Sequence, residues 1–77
     1  MTGIREVFRY AKAHRTRTYG LKPLDDDRAE LWVATAERGR PMRSRRLTVL
    51  TGHEQTTIVL ESVEQELRLG GWRSITG

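Results

Sequence analysis

The sequence predicts an α+β domain in the order α-β-β-β-α. The expectation is a small three-stranded antiparallel meander packed by a C-terminal amphipathic helix, with a second helix at the N-terminus. Two observations carry most of this. Thr51–Trp72 reads as one complete helix whose start, apolar face and stop are all visible, and the residues before it alternate apolar and polar in short runs divided by Gly, Pro and Asp. Connections that short join antiparallel neighbours and leave no room for crossovers.

At the N-terminus, Ile4, Val7, Phe8 and Ala11 stand at i, i+3, i+4 and i+7, with Arg5, Arg9 and Lys12 opposite. That spacing predicts a helix over Ile4–His14, capped by Thr2. The competing reading is a strand through Phe8 and Tyr10, because aromatic side chains suit sheets. Over Arg15–Lys22, Arg17, Tyr19 and Leu21 alternate with Thr16 and Thr18, the period of a strand. Gly20 and Pro23 weaken its end and suggest a bulge or an edge position.

Pro23–Arg28 is a turn in which aspartates bond nearby backbone amides. Asp25, Asp26 and Asp27 lack the D-x-D-x-D-G spacing of a calcium loop, so no metal is expected there. Ala29–Glu37 reads as the central strand, with Leu31 and Val33 on one face and Trp32, Ala34 and Ala36 on the other. Arg38–Ser44 is a hairpin loop punctuated by Gly39 and Pro41. Arg45–Leu50 follows as the third strand, with Leu47 and Val49 on one face and Arg46, Thr48 and Leu50 on the other.

In the final helix, Thr51 and Glu54 form a T-x-x-E capping box. Val59, Leu60, Val63 and Leu67 share one side, and Glu54, Glu61, Glu64, Gln65 and Arg68 the other. Gly70 and Gly71 end it, and with Gly71 at C′ the side chain of Trp72 packs on Leu67. The apolar side is expected to bury Leu31, Val33, Leu47 and Val49 of the sheet. Ile58 and Leu69 fall off that side, eleven residues apart and on one azimuth, which makes them the candidate contact for a homodimer. Residues 1–72 are read as a single domain and 73–77 as a mobile tail. The element order is shared with double-stranded-RNA-binding domains. Here, however, the start of the second helix reads Thr51-Gly52-His53-Glu54, without their lysines.

The 77 residues contain no Cys, so neither disulfides nor a Cys/His zinc site are expected to support a core this small. Self-association is one remaining source of stability. No apolar run approaches the roughly 20 residues that span a bilayer, and the N-terminus has no signal-peptide apolar region. The expectation is a soluble cytoplasmic protein without membrane contact.

Net charge is +4. Residues 1–50 hold twelve Lys/Arg against six Asp/Glu, whereas residues 51–77 hold two against four. The densest basic run is Arg38, Arg40, Arg43, Arg45 and Arg46, with no acid among the nine residues from 38 to 46, and Arg15 and Arg17 extend it from a neighbouring strand. Arginine forks suit phosphates and guanine edges, and a two-stranded ribbon fits the major groove. Trp32 and Tyr19 would stack on bases if they face outward. A GC-rich genome also enriches arginine, and charged residues keep an edge strand soluble.

Catalysis is not expected. His14 and His53 lie on different elements, no nucleophile–base pattern is present, and no glycine-rich phosphate loop precedes a helix. The functional expectation is a small nucleic-acid-binding protein without cofactor, taking DNA rather than RNA and regulatory in role. Its Arg-rich hairpin makes the contacts, and its acidic helix faces away. The alternative is an interaction module, adaptor or inhibitor, that docks an acidic protein surface.

Overall fold

Antiparallel strands dominate residues 3–75, the part of the chain described by the computed structural model. The elements are β1 (Arg5–Lys12), β2 (Arg15–Pro23), β3 (Arg28–Glu37), β4 (Arg43–Thr51), α1 (His53–Leu69) and β5 (Arg73–Ser74). They build one five-stranded sheet in the order β4-β3-β2-β1-β5 with α1 on one face. The fold is therefore not a three-stranded meander with two helices.

The N-terminal helix expected over Ile4–His14 is replaced by β1. The strand holds Phe8 opposite Tyr19 and Tyr10 opposite Arg17, so its aromatic residues prevail as cross-strand partners. Glu6 pairs with Gly20 and Phe8 with Tyr19, which leaves Val7 as the extra residue of a bulge. Val7 and Phe8 consequently both pack against the core although they are adjacent. A bulge thus produced the apolar doublet that imitates a helical period. Thr2, the cap expected there, lies outside the described residues.

A second bulge decides the face of β4. Leu31 pairs with Thr48 and Trp32 with Arg46, leaving Leu47 extra. The alternation expected through Leu47 and Val49 is broken at that point. Leu50 is buried instead, and Val49 is exposed. The core beneath α1 comprises Tyr10, Tyr19, Leu31, Val33, Leu50 and Leu67, with Val59, Leu60 and Val63 packed against it. Phe8 joins edge-to-face with Tyr10, the ring centroids 5.8 Å apart.

The start of α1 differs from the expected capping box. Thr51 is the last residue of β4, Gly52 is the N-cap, and no side chain caps the helix. The Thr51 N–H donates to Oε1 of Gln55 at 2.6 Å, so the reaching-back side chain comes from one residue later than Glu54. The end follows the Schellman pattern. The Trp72 N–H donates to the Leu67 carbonyl and the Gly71 N–H to that of Arg68, with Gly71 at φ +88°. Glu64, expected on the outer side, turns inward to accept the Tyr10 hydroxyl at 2.5 Å.

Two contacts set the direction of α1. Gly52 donates to the Asp27 carbonyl at the β2–β3 turn, and Lys12 at the far end of β1 donates to the Gly70 carbonyl. The helix therefore crosses the sheet diagonally and leaves uncovered the corner where β3 and β4 approach their hairpin. After α1 the chain continues into β5, where Tyr10 pairs with Ser74 and Ala11 with Arg73. Ile75 N–H also donates to the Arg9 carbonyl, so the beginning of the expected mobile tail is a sheet strand. Residues 76–77 of that tail lie outside the described residues.

Candidate nucleic-acid interface

The β3–β4 hairpin is fastened to its neighbour. Arg40 N–H donates to the Glu37 carbonyl within the turn, and Arg38 N–H donates to the His14 carbonyl of the β1–β2 turn. The second bond brings Arg15 beside the hairpin arginines. Glu37 then lies between two cations, with Arg15 Nε at 3.8 Å and Arg40 Nε at 3.9 Å. Ion pairs this long and exposed hold their partners weakly, so both guanidinium groups remain available to an external anion.

Beyond the hairpin, alternation along β4 puts Arg43 and Arg45 on the face that bears α1. Arg43 lies opposite Thr35, which lies opposite Arg17, and Arg45 lies opposite Val33, which lies opposite Tyr19. Strands are spaced by about 4.8 Å, so Arg43 and Arg17 flank Thr35 with backbones roughly 10 Å apart. Among the described residues Arg17, Arg38, Arg43 and Arg45 make no ion pair. Arg43 and Arg45 stand at the corner that the diagonal helix does not cover, Arg17 lies at its margin against Trp72, and Arg38 lies beside Thr16 and Ala36.

Arg46 goes the other way. It pairs with Trp32 on the open face, and its Nη1 donates to Oε2 of Glu30 at 3.0 Å. The indole N–H of Trp32 supplies the second donor to Glu30 at 3.2 Å. These bonds, that from Arg46 first, hold the Glu30 carboxyl below its ordinary range. The five hairpin arginines are thus divided between two faces, and Arg46 is engaged by the protein's own carboxylate. The acidic helix does not face away from the others either, because it lies on the same side of the sheet.

Beside the arginine corner, α1 and the sheet enclose an open cleft of about 330 Å³ lined by Arg17, Tyr19, Leu47, Val63, Glu66 and Trp72. The Arg17 guanidinium carbon sits 4.5 Å from the Trp72 ring centroid, a cation–π contact. Trp72 and Glu66 were not singled out as site residues by sequence reasoning. The Schellman signature placed Trp72 at the helix end, but its meeting with Arg17 needs the diagonal path of α1. Tyr19 is buried and Trp32 lies half-buried on the opposite face, so neither is an outward platform on the arginine corner.

Ile58 and Leu69 are 60 % and 80 % exposed on the outer side of α1. At the β2–β3 turn, Asp25 accepts the N–H groups of Asp27 and Arg28, which hold its carboxyl below the ordinary range. No described helix is long and apolar enough to cross a membrane. No family model, curated protein or solved structure matches the chain.

Proposed function

We propose that this protein binds nucleic acid, DNA in preference to RNA, and acts as a small regulatory binding protein. The observation that carries the reading is the uncovered corner of the helix-bearing face, where Arg43 and Arg45 stand without carboxylate partners beside Arg15 and Arg40 of the two turns. Such a corner neutralises backbone phosphates and releases their counterions, which makes binding steeply salt-dependent. Each unpaired fork can bind two oxygens of one phosphate in a plane. Arg46 is left out of the interface and has a structural role on the other face.

The test is a salt titration of affinity for random duplex DNA over about 50 to 200 mM salt. Changing both Arg43 and Arg45 to Glu should reduce the slope of log affinity against log salt by about two, one for each lost phosphate contact. Arg46→Gln should leave the slope unchanged. A wild-type protein with no measurable affinity at the lowest salt would exclude this function and leave the acidic-partner reading.

A further inference from the structure

We propose that the sheet face opposite α1 docks on the same face of a second copy of this chain, with the strands aligned and a twofold axis running along them between β2 and β3. The dimer does not depend on nucleic-acid binding. No element covers this face, because α1 packs on the other one. At one end of it Ile4 packs over Gly20, and an apolar depression of about 180 Å³ opens between Ile4 and Trp32. Toward the hairpin the face is flat, with Thr18, Ala34 and Ser44 in one row and Thr16 and Ala36 in the next. A second sheet approaches such a surface to the usual spacing of about 10 Å.

Charge and size select a second copy as the occupant. Rotation about that axis lays β1 over the partner's β4 and β2 over its β3, and keeps each cross-strand row at its own height. One row reads Glu6, Gly20, Trp32, Arg46 across the sheet. Doubled on itself, it sets Glu6 against the partner's Arg46 and Trp32 against the partner's Gly20 with its covering Ile4. The neighbouring row sets Lys22 against the partner's Glu30. Opposite charges and a large-on-small contact thus coincide, and the twofold repeats each of them. An axis across the strands instead leaves Lys22 and Arg46 opposite neutral side chains. The pairs at the rim fix the register, and the central rows supply the burial. Four strands spaced by 4.8 Å and eight residues of about 3.4 Å give roughly 500 Å² per copy, so the dimer buries on the order of 1,000 Å², where specific interfaces begin. The axis also keeps both β3–β4 hairpins at the same end of the dimer.

The experiment is sedimentation of the full chain without nucleic acid, over about 5 to 500 μM, where the wild type should pass reversibly from monomer to dimer. Ala34→Arg sets a long cation in the middle of the flat rows and should abolish the dimer. Glu6→Arg brings like charge against the partner's Arg46 at two symmetric places and should weaken association at least about tenfold. Both positions lie outside the core, and urea midpoints close to that of the wild type establish that the variants are folded. Ile58→Glu, on the outer side of α1, should leave the dimer intact. A wild type that stays monomeric throughout leaves the face to some other occupant and overturns the inference. A dimer that survives Ala34→Arg or Glu6→Arg, or that Ile58→Glu dissociates, overturns it as well.

Discussion

Glu30 shows how a charged residue is made tolerable in a sheet. It is only 8 % exposed, and its two oxygens accept from different donors, Arg46 and the Trp32 indole. Its folded pKa lies below the unfolded value, with the Arg46 hydrogen bond as the largest cause. Such a group adds stability above the ordinary carboxylate range and loses it as pH falls through the folded pKa. Arg46→Met should therefore lower the urea midpoint near pH 6 and make its decline toward about pH 3 shallower than in the wild type. Asp25 titrates in the same direction in both proteins, so the difference between the two curves isolates Glu30. Parallel curves would show that the Glu30–Arg46 bond contributes nothing to acid stability.

At the level of elements, the helix ends behave in opposite ways. The C-terminal glycines follow the residue-type rule, and the expected contact of Trp72 beside Leu67 forms. The N-terminal rule fails because β4 continues through Thr51, which pairs with Arg28 and so keeps extended backbone to the last residue before the helix. The sharp change of direction then falls on Gly52, at φ 80° and ψ 154°, a region that only glycine occupies readily. Gly52→Ser, which at an ordinary N-cap would stabilise by roughly a few tenths of a kcal/mol, should here destabilise by about 1 to 3 kcal/mol in urea unfolding. A gain in stability would mean that the β4–α1 junction relaxes into ordinary cap geometry.

For the molecule as a whole, α1 carries the chain from one edge of the sheet to the other, and β5 closes the β1 side after it. The β4 edge remains open along nine residues, and three arginines there discourage pairing with another chain. Truncation after Trp72 removes the β5 ladder and the bond from Ile75 to Arg9. It should cost about 1 to 3 kcal/mol, the net worth of a few backbone hydrogen bonds, and accelerate amide exchange in β1 more than in β3. Uniform acceleration across the sheet would indicate that β5 holds the whole fold together and not one edge.

Residue types alone determined the local features of this protein: β2, β3, the hairpin, the buried stripe of α1 and its glycine stop. In each, the deciding side chains lie within a few positions of one another, so period and turn chemistry suffice. The concentration of arginine around residues 38–46 was legible for the same reason. The tertiary structure decided the rest. Single-residue bulges at Val7 and Leu47 shift the face of every side chain beyond them, which made β1 look helical and exchanged Val49 for Leu50 in the core. Arg45 and Arg46, which both precede the bulge, are divided between the faces by ordinary strand alternation. The cleft of Arg17, Glu66 and Trp72 joins positions up to 55 apart, and the short-range pattern of a sequence does not encode the diagonal that brings them together.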